Sequence, residues 1–332
     1  MTCKAPPPLP SRPPPNTGSL KIIKSPHIFD VHQAIINKNT GEIDRLAHTG
    51  LDLGQPIRGT TALSLAVYHG NTEAVKCLLC AGAPVNRRSK DHLDRLETPL
   101  ISAIRLGHRE IFETLVRSGA ALDLRDFYNQ TPLWFAVKEQ RFSFVVHLLK
   151  SGAPILFTKA TENPLNLAMQ FLGYRGRREM VLELIAAGLP LTQEDYKGQN
   201  SLYWAYTHGD LPIFTLLIQA GVRLKAFEWL NLTANQSAGK DWRFDEGVSD
   251  WLRETLTNPT SLLHQSRRFI RSYLVNMHGR DVRPLLRALT LPPSLPLPPP
   301  LLDCLSLRAP LAHAAENPPK VSESRQPPPI LL

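Results

Sequence analysis

Residues 98–120 read TPLISAIRLGHREIFETLVRSGA, and this stretch decides the fold. Thr98 can cap a helix with its hydroxyl, and Pro99 follows at the first helical position, where a missing N–H costs nothing. Ala103 is small enough to let a second helix approach closely. After a break at Gly107-His108, the residues Ile111, Leu115 and Val116 recur at helical spacing. Gly119 then suits a left-handed helix end. The stretch therefore predicts two short antiparallel helices and a turn.

The same block recurs along the chain. Further copies start at Thr61-Ala62-Leu63, Thr131-Pro132-Leu133, Asn163-Pro164-Leu165 and Asn200-Ser201-Leu202. Their turns are Ala81-Gly82-Ala83, Ser151-Gly152-Ala153, Ala187-Gly188-Leu189 and Ala220-Gly221-Val222. Spacings between successive turn glycines are 37, 33, 36 and 33, so the base period is 33 with two insertions. The first insertion fits the polar run from Ser89 to Arg95, which would lengthen a hairpin finger. The second fits Tyr174-Arg175-Gly176, between the two helices of its unit. Ala66, Ala136, Ala168 and Ala205 repeat the role of Ala103. A weaker copy precedes the others, in Val31 to Ile36 and Ile43 to Ala47. One supersecondary unit repeated in this way builds an elongated stack with a long exposed surface.

This pattern resembles the ankyrin repeat, with its T-P-L-H-x-A helix start and its glycine-alanine turn. The resemblance implies an all-α ankyrin solenoid of about six repeats. Its units are expected at 26–56 (degenerate), 57–88, 94–125, 127–158, 160–193 and 196–223. The family's histidine after leucine is replaced by Ser64, Ile101, Trp134, Asn166 and Tyr203. That loss removes a bond between neighbouring turns, so less regular repeats are expected.

Beyond Val222 the repeat stops. Phe227, Trp229, Trp242 and Trp251 anchor a partial closing repeat or linker over 224–258, since an open stack end exposes its apolar face. A helix start at Asn258 or Thr260 precedes one stripe at three-four spacing through Leu262, Ser266, Phe269, Ile270, Tyr273 and Leu274. A second short helix is predicted from Val282 to Leu289, and Leu295-Pro296-Leu297-Pro298 follows. This arrangement resembles a SOCS box over 259–303. That family's elongin-binding motif maps to Ser261, Leu262, Ser266 and Ile270, with Phe269 packing beside them. Its cullin-selecting motif maps to Leu295, Pro296, Leu297 and Pro298. Ser266 stands where the family has cysteine; a buried hydroxyl without a partner would weaken the contact by about 1–2 kcal/mol.

Together the two resemblances identify the chain with the ankyrin-repeat and SOCS-box family. They imply a non-enzymatic substrate receptor of a ubiquitin ligase. Its partners would be elongin C and elongin B, cullin-five with its RING subunit, and a target protein on the repeats. The target would meet Tyr68, Arg105, Lys138, Gln170 and Thr207 on the inner helices and Arg95 and Tyr128 on the fingers. The alternative is a plain ankyrin scaffold or signalling adaptor whose C-terminal helices only close the stack.

Composition bounds the rest. The chain has thirty prolines, with dense runs at its two ends, so tails over 1–25 and 304–332 are expected to be disordered. Pro7 to Arg12 matches a PxxPxR ligand of SH3-type grooves, a pattern that plain proline-rich tails also reach. The cysteines Cys3, Cys77, Cys80 and Cys304 are few and scattered, and no signal peptide or membrane-spanning run is visible. A reducing, cytoplasmic or nuclear setting is expected. Cys77 and Cys80 lack a second ligand pair for zinc and read as buried apolar cysteines. His69, His108 and His208 read as structural. The net charge of +9 is spread through the repeats, which points to an acidic protein partner and away from nucleic acid. No phosphate loop, nucleophile elbow or paired-carboxylate motif occurs, so no cofactor is expected.

Overall fold

In the computed structural model, residues 27–91, 94–155, 157, 162–172, 177–195, 198–220, 222 and 278–281 are described. Helix starts follow the caps that the sequence provides. The hydroxyls of Thr61, Thr98 and Thr131 accept from the backbone N–H of Ser64 (3.3 Å), Ile101 (3.3 Å) and Trp134 (3.2 Å). Asn163 and Asn200 do the same with side-chain carbonyls, toward Leu165 and Tyr203. Each such cap contributes about 1 kcal/mol. Pro99, Pro132 and Pro164 each open a helix.

Twelve helices result among the described residues, in six pairs. The pairs are α1 (Ile28–Ile36) with α2 (Thr40–Ala47), α3 (Ala62–Tyr68) with α4 (Thr72–Cys80), and α5 (Pro99–Leu106) with α6 (Arg109–Arg117). They continue with α7 (Pro132–Lys138) and α8 (Phe142–Lys150), α9 (Pro164–Gln170) and α10 (Arg178–Ala187), and α11 (Ser201–Thr207) and α12 (Leu211–Gln219). The odd-numbered helices touch one another in series and form an inner layer. The even-numbered helices lie behind them, with α2 on α4, α4 on α6 and α8 on α10. The weak first copy forms a complete helix pair, with Val31, Ile35 and Ile43 fully buried.

The seam between the layers is made of small residues. Ala66, Ala103, Ala136 and Ala205 have no solvent exposure, and Ala168 is also buried. Larger side chains fill the space between units: the ring of Phe112 lies 4.6 Å from Phe144 of the next repeat. Gly82, Gly119, Gly152 and Gly188 all take the left-handed conformation expected of them.

The first insertion forms a finger. Strand β1 (Ser89–Lys90) pairs antiparallel with β2 (Leu96–Glu97), Ser89 opposite Glu97 and Lys90 opposite Leu96. The second insertion falls between α9 and α10, as the helix bounds require, although residues 173–176 lie outside the described residues.

Helix lengths recur: inner helices α3 to α11 run seven or eight residues and outer helices α4 to α12 nine or ten. Side-chain bonds link neighbouring units. The Ala121 N–H donates to the side-chain carbonyl of Asn86 (2.8 Å), and the Asn129 amide donates to Glu162 (2.6 Å). His208 Nε2 meets the Gln170 carbonyl at 3.1 Å. One expectation, that of buried cysteines, is corrected. Cys80 is exposed and Cys77 only half-buried, because the stripe of α4 that faces inward is Ala74, Val75 and Leu78. Burial still pushes the Cys77 thiol up.

The segments 1–26, 223–277 and 282–332 lie outside the described residues, so the expected tails, the partial closing repeat and nearly all of the box do too. Residues 278–281 are described, and they meet the stack: the Ile155 N–H donates to the Gly279 carbonyl at 2.7 Å.

Phe112→Ala should lower stability by about 3–5 kcal/mol, since the ring is fully buried between repeats. Phe127→Ala, at a ring that is 66% exposed, should change it by less than about 0.5 kcal/mol. Urea unfolding of the two variants checks the contrast.

Candidate functional site

The inner helices and the fingers share one face, and the candidate residues recur there at one register. Tyr68, Lys138, Gln170 and Thr207 each end their helix, and Arg105 is one residue from the end of α5. Their surroundings differ. Tyr68 is 46% exposed and stands edge-on to His69. Lys138 is exposed and its ammonium lies over the Trp134 ring at 5.3 Å. Gln170 and Thr207 are half-buried, and the Thr207 hydroxyl donates to the Tyr203 carbonyl (2.8 Å).

Arg105 serves the fold. Its side chain is 17% exposed and its Nη2 donates to Glu97 at 2.7 Å, with Asp91 at 3.6 Å. Glu97 also accepts from the Ser102 hydroxyl at 2.6 Å. Arg95 binds Asp91 through Nε (3.0 Å) and Nη2 (2.8 Å), a fork on one carboxylate oxygen. The carboxylates are deeply placed, the Asp91 side chain 1% and that of Glu97 8% exposed. Each is matched by an arginine, as buried charge requires. This cluster ties the long finger to α5. It also floors a hollow of ≈ 200 Å³ edged by Thr60, Tyr68 and Lys90.

The fingers are joined side by side. The Lys90 N–H donates to the Gly59 carbonyl (2.8 Å), and the Thr60 hydroxyl donates to the Lys90 carbonyl (3.0 Å). On the other side, the Phe127 N–H donates to the Leu96 carbonyl (2.9 Å). Asp126 shapes the Phe127 turn by accepting the N–H groups of Tyr128 (2.9 Å) and Gln130 (2.8 Å). Burial pushes the Asp126 carboxyl up despite those bonds.

Sequence reasoning missed Leu96 and Phe127, 41% and 66% exposed beside Tyr128 at 59%. The available signal was the pair Phe127-Tyr128 in a polar turn with no helical period to bury it. It also missed the carboxylate–arginine cluster, whose members come together only through the finger's pairing. Ser261, Leu262, Ser266, Phe269, Ile270 and Leu295 to Pro298 lie outside the described residues, as does Pro7 to Arg12. Among the described residues there is no group of three or more His, Cys, Asp or Glu placed to hold a metal, and no helix is long and apolar enough to cross a membrane.

The helix pairs, finger turns and left-handed glycine ends define an ankyrin-repeat solenoid, a module that binds proteins. The family model for ankyrin repeats matches residues 31–126 and 88–159. An ankyrin repeat-containing protein of Treponema pallidum (strain Nichols) is 34% identical over 118 residues, covering 34% of this chain and 38% of that one. Inversin of Canis lupus familiaris is 29% identical over 182 residues, covering 54% of this chain and 16% of inversin. The chain thus spans well under half the length of either relative. An ankyrin repeat domain from Acinetobacter baumannii AYE superposes with a TM-score of 0.53 at 27% identity, covering 59% of this chain and 99% of that domain.

Glu97→Ala leaves Arg105 and Ser102 without their shared acceptor and should cost about 3–5 kcal/mol in urea unfolding. A loss below about 1 kcal/mol would mean that solvent screens the cluster.

Proposed function

We propose that this chain is the substrate-recognition subunit of a cullin-five and elongin BC ubiquitin ligase. It performs no chemistry itself. The observation that carries the reading is an order: ankyrin repeats, then Ser261 to Ile270, then Leu295 to Pro298. Either motif alone is short, but the three in sequence make a receptor's arrangement of target surface followed by ligase attachment. Leu262 is the expected anchor into elongin C, since burying a leucine contributes about 1.5–3 kcal/mol. The prolines of the second motif hold an extended conformation before contact, which reduces the entropy lost on meeting the cullin. The repeats would then hold the target beside the ubiquitin-charged enzyme, and proximity would be their contribution.

A second reading, an ankyrin scaffold without ligase assembly, has one observation in its favour. Residues 278–281 fall between the two motifs, and Gly279 meets the stack at Ile155. A C-terminal segment that only covers the repeats would make such a contact. In the receptor reading the same contact ties only the stretch 278–281, between the two motifs, to the stack.

Co-expression with elongins B and C separates the readings. The wild-type chain should co-purify with both, and Leu262→Asp should weaken recovery at least about 30-fold, the scale of a hot-spot loss. Wild-type chain that recovers neither elongin would leave the scaffold reading in place. Replacing Leu295 to Pro298 with alanines should keep the elongins and lose the cullin; a retained cullin would refute that assignment.

A further inference from the structure

The long finger and its two neighbours carry a surface that the fold itself does not use. One half is cationic. Arg58, Arg87 and Arg88 are exposed and make no ion pair among the described residues. Arg58 tips the turn from Ile57 to Thr60, and the stem of Lys90 lies across the adjoining Gly59. A side chain at Gly59 would meet that stem at 2.5 Å, so the two fingers touch where the cations gather. Lys90 is held by Asp94 at 3.3 Å, an exposed pair that solvent weakens.

The other half is apolar. Leu96, Phe127 and Tyr128 are all more than 40% exposed, and the two rings stand edge to face at 5.3 Å. Phe127 and Tyr128 keep more than half of their surface in solvent. The two halves share the bonded ladder that runs from Gly59 through Lys90 and Leu96 to Phe127. Neighbouring large apolar side chains that stay in solvent mark interaction sites, and aromatic and arginine residues are the usual anchors. The ladder fixes them before any partner arrives, so little ordering cost remains on binding.

We propose that this finger face takes an acidic linear segment of a partner protein that carries an aromatic or aliphatic anchor. The anchor sits on Leu96, Phe127 and Tyr128, and flanking carboxylates lie over Arg58, Arg87 and Arg88. The proposal rests on the reading that the finger and inner-helix face holds the target, and it adds the target's chemistry. Nucleic acid fits less well. A phosphate backbone asks for an unbroken row of cations, whereas here Asp94 and Leu96 interrupt it and half of the patch offers no charge.

The test is selection of displayed random dodecapeptides on the immobilised full chain. Recovered sequences should be rich in Asp and Glu around a Phe, Trp or Leu. Their affinity should fall at least about tenfold with the double variant Arg87→Glu, Arg88→Glu and separately with Phe127→Ser, and should weaken with salt. Recovering no binder, recovering sequences without acidic bias, or finding binders indifferent to both variants would overturn the proposal. So would a single-stranded oligonucleotide that competes as well as an acidic peptide. Urea midpoints near wild type confirm that both variants fold. Elongin recovery is read on the same preparations: peptide binding without elongins sinks the ligase reading alone, and elongins without peptide binding sink this proposal alone.

Discussion

A single unit of this chain has more apolar surface than its own two helices can cover. Each helix pair therefore has to lie against the next, and the alanines at 66, 103, 136, 168 and 205 set how closely it can do so. Everything else follows from that nearest-neighbour burial. It fixes the rotation from unit to unit, it lines the inner helices in one register, and it brings each finger within hydrogen-bonding reach of the next. The finger face is therefore a product of the stack, and its residues need not be close in sequence.

The same constraint separates two kinds of polar residue that look alike in the sequence. Arg95 and Arg105 are tied to Asp91 and Glu97 under the long finger, where leaving either charge alone would be costly. Arg58, Arg87 and Arg88 stand outside that cluster and face solvent. The first pair holds the finger in place. The others make no ion pair among the described residues, on the side of the long finger away from Phe127.

Much of the architecture was legible because its causes are local. A threonine or asparagine cap, a proline behind it and a glycine at the far end mark each unit within a few residues, and the spacing of Gly82, Gly119, Gly152 and Gly188 locates both insertions. The candidate residues differ in their surroundings: Tyr68 and Tyr128 are exposed, whereas Arg105 is bound to two buried acids. That difference depends on Asp91 and Glu97 arriving from the finger, which no helical period announces. Cys80 was misplaced for a related reason: an apolar neighbourhood in sequence does not say which flank of a nine-residue helix faces out.

The central claim is that the stack holds its fingers as one prearranged surface. Amide hydrogen exchange of the full chain at single-residue resolution tests it most directly. The amides of Lys90 and Phe127 belong to fingers, yet each is bonded to the neighbouring finger. The account predicts protection at both positions well above that of free loop amides. Exchange at the rate of an unstructured segment would contradict it.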